Sequence, residues 1–248
     1  MRKVVKFGGS SLASAEQFKK VGNIIRSDES RCYVVPSAPG KRNSRDTKVT
    51  DLLYGCYGKA AEGKDFSGNL KEIKERYYEI IQGLGLNLSL EEEFQVIEEK
   101  FKEQAGRDYA ASRGEYLNGI IMAEYLGYTF IDAATVIRFD KNGVFDPEKT
   151  DRLLGKALSK NEKAVVPGFY GAKEDGTICT FSRGGSDVTG SLVAKAIKAD
   201  VYENWTDVSG FLVTDPHIVD DPAVIETITY RELRELSYMG ATVLHEEA

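Results

Sequence analysis

The densest cluster of glycine and polar residues spans residues 180–191, which read TFSRGGSDVTGS. Adjacent glycines can adopt positive φ angles and allow a ligand close to the backbone. Ser186 or Asp187 could cap a helix through residues 192–197, and the free amides at a helix start attract anions. Arg183 offers a planar guanidinium for a carboxylate or phosphate, and Asp187 offers a carboxylate for a cation. The segment predicts a phosphoryl-transfer site, with an ordinary glycine-rich turn as the alternative.

A second glycine-rich segment follows the first predicted strand. Residues 4–7 run directly into Gly8, Gly9 and Ser10, after which apolar residues recur at helical spacing. Lys6 lies at the carboxyl end of the strand, where its ammonium would lie beside whatever the glycine amides bind. The segment is not a Walker loop, because the lysine comes before the glycines. A surface lysine in an edge strand is the alternative interpretation.

A third candidate lies on a helix predicted over residues 109–126, whose first turns read SRGE at residues 112–115. Most helical glutamates are solvated. Gly114 is unusual because glycine is unfavourable inside helices, and its small size would leave room for a ligand beside Glu115. We therefore expect Glu115 to face a ligand.

Short apolar strands alternate with polar loops and helices along the whole chain. Strands are predicted at residues 4–7, 32–36, 128–131, 164–167, 199–203 and 211–213, with a hairpin at residues 136–145. This alternation predicts an α/β fold with a mostly parallel open sheet and helices on both faces. Ligands bind at the carboxyl ends of the strands in such sheets, so Lys6, Ser37, Gly168 and residues 204–207 can converge on one crevice.

Two stretches are assigned no chemistry. Residues 41–48 are polar and basic, and they are interpreted as a mobile loop. Two amphipathic helices are predicted between residues 70 and 102, interrupted at residues 83–85, and their acidic runs indicate solvated faces.

The composition excludes several classes of function. The chain has 248 residues, of which 42% are hydrophobic, and this is enough for a full core. Its 33 basic and 39 acidic residues give a net charge of −6 without a long basic cluster, which argues against a nucleic-acid partner. No apolar stretch approaches the ~20 residues of a membrane span, and the N-terminus lacks the apolar core of a signal peptide.

Cysteine and histidine are scarce. The 3 cysteines include no Cys-x-x-Cys pair, which favours free thiols in a reducing cytoplasm over a zinc site. The 2 histidines are not accompanied by the Gly-x-Ser-x-Gly turn of a serine hydrolase. We expect a cytoplasmic protein without a protein-ligated metal.

Six motifs in this order resemble the aspartate kinase catalytic domain of the amino-acid-kinase fold. They are KFGGSS at residues 6–11, SAPG at 37–40, SRGE at 112–115, PGFYG at 167–171, SRGGSD at 182–187 and ENWTDVSG at 203–210. The resemblance implies an α/β/α sandwich with an amino-acid lobe near residues 1–165 and a nucleotide lobe over residues 166–248. It also implies ATP-dependent phosphorylation of the side-chain carboxylate of L-aspartate, the first step toward lysine, threonine and methionine.

The matched motifs imply roles for individual residues. Lys6 would stabilise charge on the transferring group and Asp187 would organise Lys6, so these two residues would be catalytic. Arg183 would bind the substrate α-carboxylate and Glu115 its α-ammonium. The substrate-binding set would be Ser37, Thr50, Glu115, Arg183 and Ser186, with Thr47 as an alternative to Thr50. The nucleotide-binding set would be Lys6, Gly8, Gly9, Ser10, Thr206, Asp207, Leu212, His217 and Thr242, with Mg²⁺ bridging the phosphates of ATP.

The sequence departs from the family pattern in the nucleotide lobe. His217 and Thr242 stand where many relatives have arginine and lysine, and Leu212 stands where they have tyrosine. Loss of two cations predicts weaker ATP binding unless other groups compensate. A partly protonated His217 could replace some of the lost charge, and a turn residue after Pro216 is the alternative.

The resemblance also bears on the whole protein. Aspartate kinases generally continue into C-terminal ACT domains, so we expect the chain to be the catalytic part of a longer protein. That protein is expected to form a homodimer or a higher homo-oligomer.

Two other functions stay open at this point. The first is another small-molecule kinase of the same family, acting on N-acetylglutamate, glutamate or a nucleoside monophosphate. The second is a nucleotide-binding module without turnover, suggested by the missing cations. Glu115 favours a substrate with a free α-ammonium over an acetylated one, and Lys6 with Asp187 argues for turnover.

Overall fold

A computed structural model describes residues 1–182, 184–206, 210, 220 and 223–238. The strands are β1 (Lys3–Phe7), β2 (Arg31–Pro36), β3 (Thr129–Phe130), β4 (Ala164–Val165), β5 (Tyr170–Ala172), β6 (Ile178–Thr180) and β7 (Val201–Trp205). The α-helices are α1 (Ala15–Arg26), α2 (Val49–Ala61), α3 (Ser67–Leu84), α4 (Glu91–Lys102), α5 (Arg107–Leu126), α6 (Ala133–Val136), α7 (Pro147–Leu158), α8 (Gly185–Ile197) and α9 (Tyr230–Tyr238).

Five strands form one sheet in the order β3-β4-β2-β1-β7, and every pair in it is parallel. The predicted parallel sheet is therefore confirmed. β1 lies between β2 and β7, so Lys6 is opposite Val35 on one side and Asn204 on the other. The loops after these strands meet at one edge of the sheet, which is where ligands bind in folds of this type.

Alternate strand residues enter two hydrophobic clusters on opposite faces of the sheet. Val5 and Val34 pack with apolar residues of α1 to α5. Val4 and Val35 pack with residues of α6, α7 and α8. This arrangement confirms helices on both faces. None of the helices in the described part of the chain has the length and apolarity needed to span a bilayer.

Several local predictions need correction. α8 begins at Gly185 and is preceded by Gly184 at φ +62°, so neither Ser186 nor Asp187 is the N-cap. Glycine tolerates this left-handed conformation, and the earlier start places both polar residues inside the first turn. The antiparallel pair of β5 and β6 was not predicted, and neither was α6, which is capped by Asp132. The predicted strand at residues 211–213 lies outside the described residues.

Candidate active site

A buried ion pair joins the carboxyl end of β1 to the first turn of α8. Lys6 Nζ lies 2.7 Å from Asp187 Oδ1, and the two side chains are only 10% and 11% exposed. Asp187 lies in the first turn of α8, and this helix packs against β1, β2 and β7. The alternative of a surface lysine in an edge strand is wrong, because β1 is an internal strand.

The glycine loop after β1 packs closely on the loop after β2. The amide of Gly40 donates to Gly9 O at 2.8 Å, and a Cβ placed on Gly9 would lie 2.8 Å from Ala38 O. Glycine is therefore required at position 9 for this close approach. A Cβ placed on Gly8 would lie 3.9 Å from Lys6 Nζ, so Gly8 lies beside the ammonium. Ser10 is exposed in the short 3-10 helix that follows.

The amide of Gly8 already has an acceptor within the chain. It donates to Trp205 O at 3.2 Å, at the carboxyl end of β7. The expected role of this amide as a phosphate donor requires that bond to break. Gly8 and Thr206, which follows Trp205, nevertheless lie at the same edge of the sheet, as expected for residues of one nucleotide site.

Glu115 is buried on α5 with an incompletely satisfied carboxylate. The side chain is 6% exposed, and Oε2 has no hydrogen-bond partner among the described residues. Burial raises the pKa of Glu115 to about 7, although the Ala38 amide, the amide of Glu115 itself and the charge of Arg113 oppose this rise. A cation placed against Oε2 would therefore be held strongly, because it would relieve the burial of a charge.

Gly114 has a different role from the one predicted. A Cβ at this position would lie 2.7 Å from Ala38 Cβ and 3.8 Å from Thr50 Oγ1. The glycine thus allows the loop after β2 to contact α5, and the prediction that it leaves room for a ligand is wrong. The contact places Thr50 beside the Glu115 segment, whereas Thr47 is exposed.

Asn118 is a polar residue of the site that the sequence analysis missed. Its Nδ2 donates to Ser37 O at 2.6 Å, and its Oδ1 has no partner among the described residues. The amide of Ser37 donates to Phe7 O at 3.1 Å, so Asn118 helps to link α5 to the end of β1. Its position one helical turn after Glu115, among apolar residues, is the sequence signal that could have revealed it.

The loop after β4 completes the crevice. A Cβ on Gly168 would lie 2.5 Å from Ser186 Oγ, so glycine is needed where this loop meets α8. The next residue, Phe169, has φ +82°, and its amide donates to Thr189 Oγ1 at 3.1 Å. A non-glycine residue in this conformation is strained, and the strain marks a position fixed by its surroundings. The sequence analysis also missed Thr189.

The structure does not describe every predicted site residue. Arg183, Asp207, Leu212, His217 and Thr242 lie outside the described residues. Across the described part of the chain, no group of three or more His, Cys, Asp or Glu side chains is placed to hold a metal ion.

The crevice therefore has two chemically different ends. One end has a lysine paired with an aspartate beside a glycine loop, which suits a phosphate group that needs a cation. The other end has a buried carboxylate, the Asn118 amide and the Thr50 hydroxyl, which suits a small molecule with an ammonium group. Ser37 links the two ends, because its amide donates to Phe7 O and its carbonyl accepts from Asn118 Nδ2.

Comparisons with family models, curated proteins and solved structures all find amino acid kinases. The amino acid kinase family model matches residues 1–248. Aspartokinase 3 from Bacillus subtilis is 40% identical over 265 residues, covering 99% of this chain. Among solved structures, the aspartate kinase of Clostridium acetobutylicum is 53% identical with a TM-score of 0.93, covering 99% of this chain. Escherichia coli aspartokinase III in complex with aspartate and ADP is 27% identical with a TM-score of 0.83, covering 100% of this chain.

The chain is shorter than these relatives. It spans 57% of the Bacillus protein, 56% of the Clostridium structure and 58% of the Escherichia structure. The similarity therefore concerns a little over half of each relative.

Proposed function

The chain belongs to the amino acid kinase family, and from that premise we propose that it transfers the γ-phosphoryl group of ATP to the side-chain carboxylate of L-aspartate. The product would be 4-phospho-L-aspartate. The observation that carries this proposal is the buried Glu115 carboxylate, whose Oε2 has no partner among the described residues. The aspartokinase names of the relatives and the aspartate and ADP bound in one of them support the same substrates.

Glu115 selects among the substrates of the family on chemical grounds. A free α-amino acid presents an ammonium group that can pair with a buried carboxylate, and each partner then relieves the desolvation of the other. N-acetylglutamate has no such cation, and a nucleoside monophosphate would bring a second negative charge toward Glu115. The pocket therefore favours a free amino acid.

The reaction needs charge stabilisation more than proton transfer. An aspartate side chain has an unperturbed pKa near 3.9, so its carboxylate is an ionised nucleophile at neutral pH and no general base is required. A carboxylate oxygen forms a bond to the γ-phosphorus as the bond from that phosphorus to the oxygen of ADP breaks. We propose that Lys6 stabilises the charge on the transferring group and that Asp187 positions the lysine through their 2.7 Å contact.

We propose that Mg²⁺ would bind this site together with ATP. Magnesium in kinases is held mainly by phosphate oxygens with one or two protein carboxylates, so the lack of a metal-ligand cluster among the described residues is compatible with it. When bound, it would neutralise charge on the phosphates.

Other assignments complete the proposal. Ser37, Thr50, Arg183 and Ser186 would bind aspartate beside Glu115, and the contact of Thr50 with the Gly114 segment supports Thr50 over Thr47. Gly8, Gly9, Ser10, Thr206, Asp207, Leu212, His217 and Thr242 would form the nucleotide site. Residues 1–165 would form the amino-acid lobe and residues 166–248 the nucleotide lobe, in a homo-oligomeric protein.

The experiment is a substrate comparison. ADP release is measured with ATP and Mg²⁺ in the presence of L-aspartate, L-glutamate, N-acetyl-L-glutamate or uridine monophosphate, with hydroxylamine to trap an acyl phosphate. We expect turnover and hydroxamate with L-aspartate only. Turnover with another acceptor would identify a different kinase of the family, and ATP binding without hydroxamate would indicate a nucleotide-binding module. The same assay is repeated on a longer protein that contains this chain, because the chain spans little more than half of its relatives.

A further inference from the structure

A buried arginine of α3 fastens the loop that follows β2. Arg76 is 3% exposed, and its Nη2 donates to Gly40 O at 2.9 Å. Its Nη1 donates to Thr47 O at 3.2 Å and lies 2.9 Å from Asp46 Oδ2. One guanidinium thus reaches two backbone carbonyls and one carboxylate within residues 40–47. The loop has no regular secondary structure, so these contacts replace the hydrogen bonds of a helix or strand.

The fastened loop is a wall of the amino-acid pocket. The Ala38 amide donates to Glu115, and the Gly40 amide donates to Gly9 O at 2.8 Å. Val49 donates to Pro39 O at 3.3 Å and so closes the base of the loop just before Thr50. A shift of the loop would therefore move the Glu115 contact, the glycine loop and Thr50 together.

The next residue of α3 holds the opposite wall. Tyr77 is fully buried, and its hydroxyl donates to Gly114 O at 2.7 Å. Gly114 directly precedes Glu115, and its missing side chain is what allows α5 to contact Ala38. Tyr77 thus fixes α5 at the residue beside the buried carboxylate.

We propose that Arg76 and Tyr77 are positioning residues that set the spacing between the two walls of the amino-acid pocket. This inference rests on the proposed function and extends it to a helix that the sequence had assigned no chemistry. Neither residue touches the bound amino acid in this proposal. Their effect is on how well the Ala38 amide, Thr50 and Glu115 fit the ligand.

An arginine at position 76 is better explained by geometry than by stability. Burying an ion pair is often no more stabilising than packing apolar side chains of the same volume, because both charges lose their hydration. The planar, forked guanidinium reaches two carbonyls and a carboxylate from fixed directions, which the compact ammonium of a lysine matches less well. Burial alone would raise the pKa of Asp46, but the bonds from Arg42 and the charge of Arg76 lower it to about 2. The pair therefore stays ionised throughout the neutral range, so it does not act as a pH switch.

The first test compares two variants that each remove a cation from α3. Arg76→Met removes the buried guanidinium, and Lys71→Met removes a cation whose side chain is 77% exposed. We expect Arg76→Met to raise the aspartate KM about tenfold or more, since hydrogen bonds to a charged group are lost, while the ATP KM stays within about twofold. Arg76→Lys, which keeps the charge but not the fork, should fall between the parent and Arg76→Met. Lys71→Met should match the parent.

The second test uses a variant that conserves shape. Tyr77→Phe removes one buried hydroxyl and should raise the aspartate KM about threefold to tenfold with kcat nearly unchanged. Its neighbour Tyr78 packs on the ring of Phe94, and Tyr78→Phe is the matched control, expected to behave as the parent. Because Tyr77→Phe keeps the core volume, this comparison stands even if Arg76→Met does not fold.

A purely structural role predicts a different pattern. In that case the variants would lower the thermal midpoint and change the aspartate and ATP KM values equally, and this result would overturn the proposal. Unchanged kinetics in both Arg76→Lys and Tyr77→Phe would overturn it as well.

Hydrogen exchange separates this inference from the proposed function. The amides of Gly40 and Val49 are bonded only while the loop is in place. Arg76→Lys should speed their exchange, and Lys71→Met should not. If the parent fails to phosphorylate aspartate, the proposed function is lost, but faster exchange at these amides would still support a positioning role. Unchanged exchange would refute that role whatever the substrate.

Discussion

The two ends of the crevice each contain a buried carboxylate, but the two carboxylates are in opposite situations. Asp187 lies 2.7 Å from the ammonium of Lys6, so its charge is balanced within the protein. Glu115 receives backbone amides only, and its Oε2 has no partner among the described residues. Burial raises the pKa of Glu115 to about 7, because the two backbone amides and the charge of Arg113 offset its desolvation only in part.

This difference matches the different demands of the two ends. At the Lys6 end, the positive group must be in place before the reaction, since preorganised charge does not have to rearrange during the chemical step. At the Glu115 end, an unbalanced charge gives binding energy to a ligand that brings a cation. We therefore expect the Lys6 end to control kcat and the Glu115 end to control the aspartate KM.

The largest expected effect is that of Lys6→Ala on kcat. Removal of one donor that stabilises the transition state typically costs ~10²–10³-fold, and loss of a full cation should cost at least ~10³-fold. The aspartate KM should change little. Steady-state ADP release measures both, and circular dichroism with thermal unfolding confirms that the fold persists.

Lys3→Ala is the matched control for this variant. Lys3 lies on the same strand and also forms an ion pair, with Asp28 at 2.9 Å, but at the opposite end of β1. It should retain the kcat of the parent. If kcat of Lys6→Ala fell by less than tenfold, the proposed catalytic role of Lys6 would be wrong.

Asp187→Asn should have the next largest effect. The amide keeps the size of the side chain but no longer balances the ammonium, so Lys6 loses the partner that orients it. We expect kcat to fall about 10²-fold, with the aspartate KM within about threefold of the parent. Asp151→Asn, which breaks an ion pair with Lys195 farther along α8, is the control. If the aspartate KM alone rose, Asp187 would be a substrate ligand instead.

The sequence predicted the contact of Lys6 with Asp187 but not the packing around Glu115. Lys6 lies near a strand end and Asp187 near a helix start, and each is close to a pair of glycines. A short stretch of sequence therefore shows both the turn and the charged group. The parallel sheet followed from alternation alone. Gly114 was misinterpreted because the space beside it is filled by Ala38, which is distant in the sequence.

Residues that act through long-range contacts escaped prediction for the same reason. Asn118 contacts Ser37 and Arg76 contacts Gly40, and each contact joins segments more than thirty residues apart. The periodicity of apolar residues in the sequence does not predict contacts between such distant segments. The helices predicted between residues 70 and 102 were located correctly, but their polar faces gave no sign that one arginine points inward.

Glu115→Gln tests the amino-acid end of the crevice. Loss of the negative charge leaves the substrate ammonium without its partner, and we expect the aspartate KM to rise about 10²-fold with a smaller change in kcat. Glu124→Gln is the control, because Glu124 is exposed on the same helix. An unchanged aspartate KM would refute the pocket as proposed.

The same variant should stabilise the ligand-free protein. The pKa of Glu115 is higher in the folded state than its ordinary value of 4.5, so its contribution to stability is fully present below pH 4.5 and is lost as the pH rises through about 7. At pH 8 the parent carries the full cost of a buried charge, on the order of 3 kcal/mol, and Glu115→Gln does not. Thermal unfolding should show a higher midpoint for the variant, and saturating aspartate should reduce the difference.

The smallest expected effect is the pH dependence of aspartate binding. Ionised Glu115 binds the ammonium and protonated Glu115 does not, so kcat/KM for aspartate should fall as the pH drops through about 7. Between pH 8 and pH 6 the decrease should be about tenfold, because the ionised fraction changes by that factor. The ATP phosphates also titrate in this range, so ATP and Mg²⁺ are kept saturating and Glu115→Gln is measured in parallel. A profile that is steep in the parent and flat in Glu115→Gln would place the titration on this carboxylate. Identical slopes in the two proteins would assign the titration to the nucleotide, and Glu115 would then be ionised throughout the range.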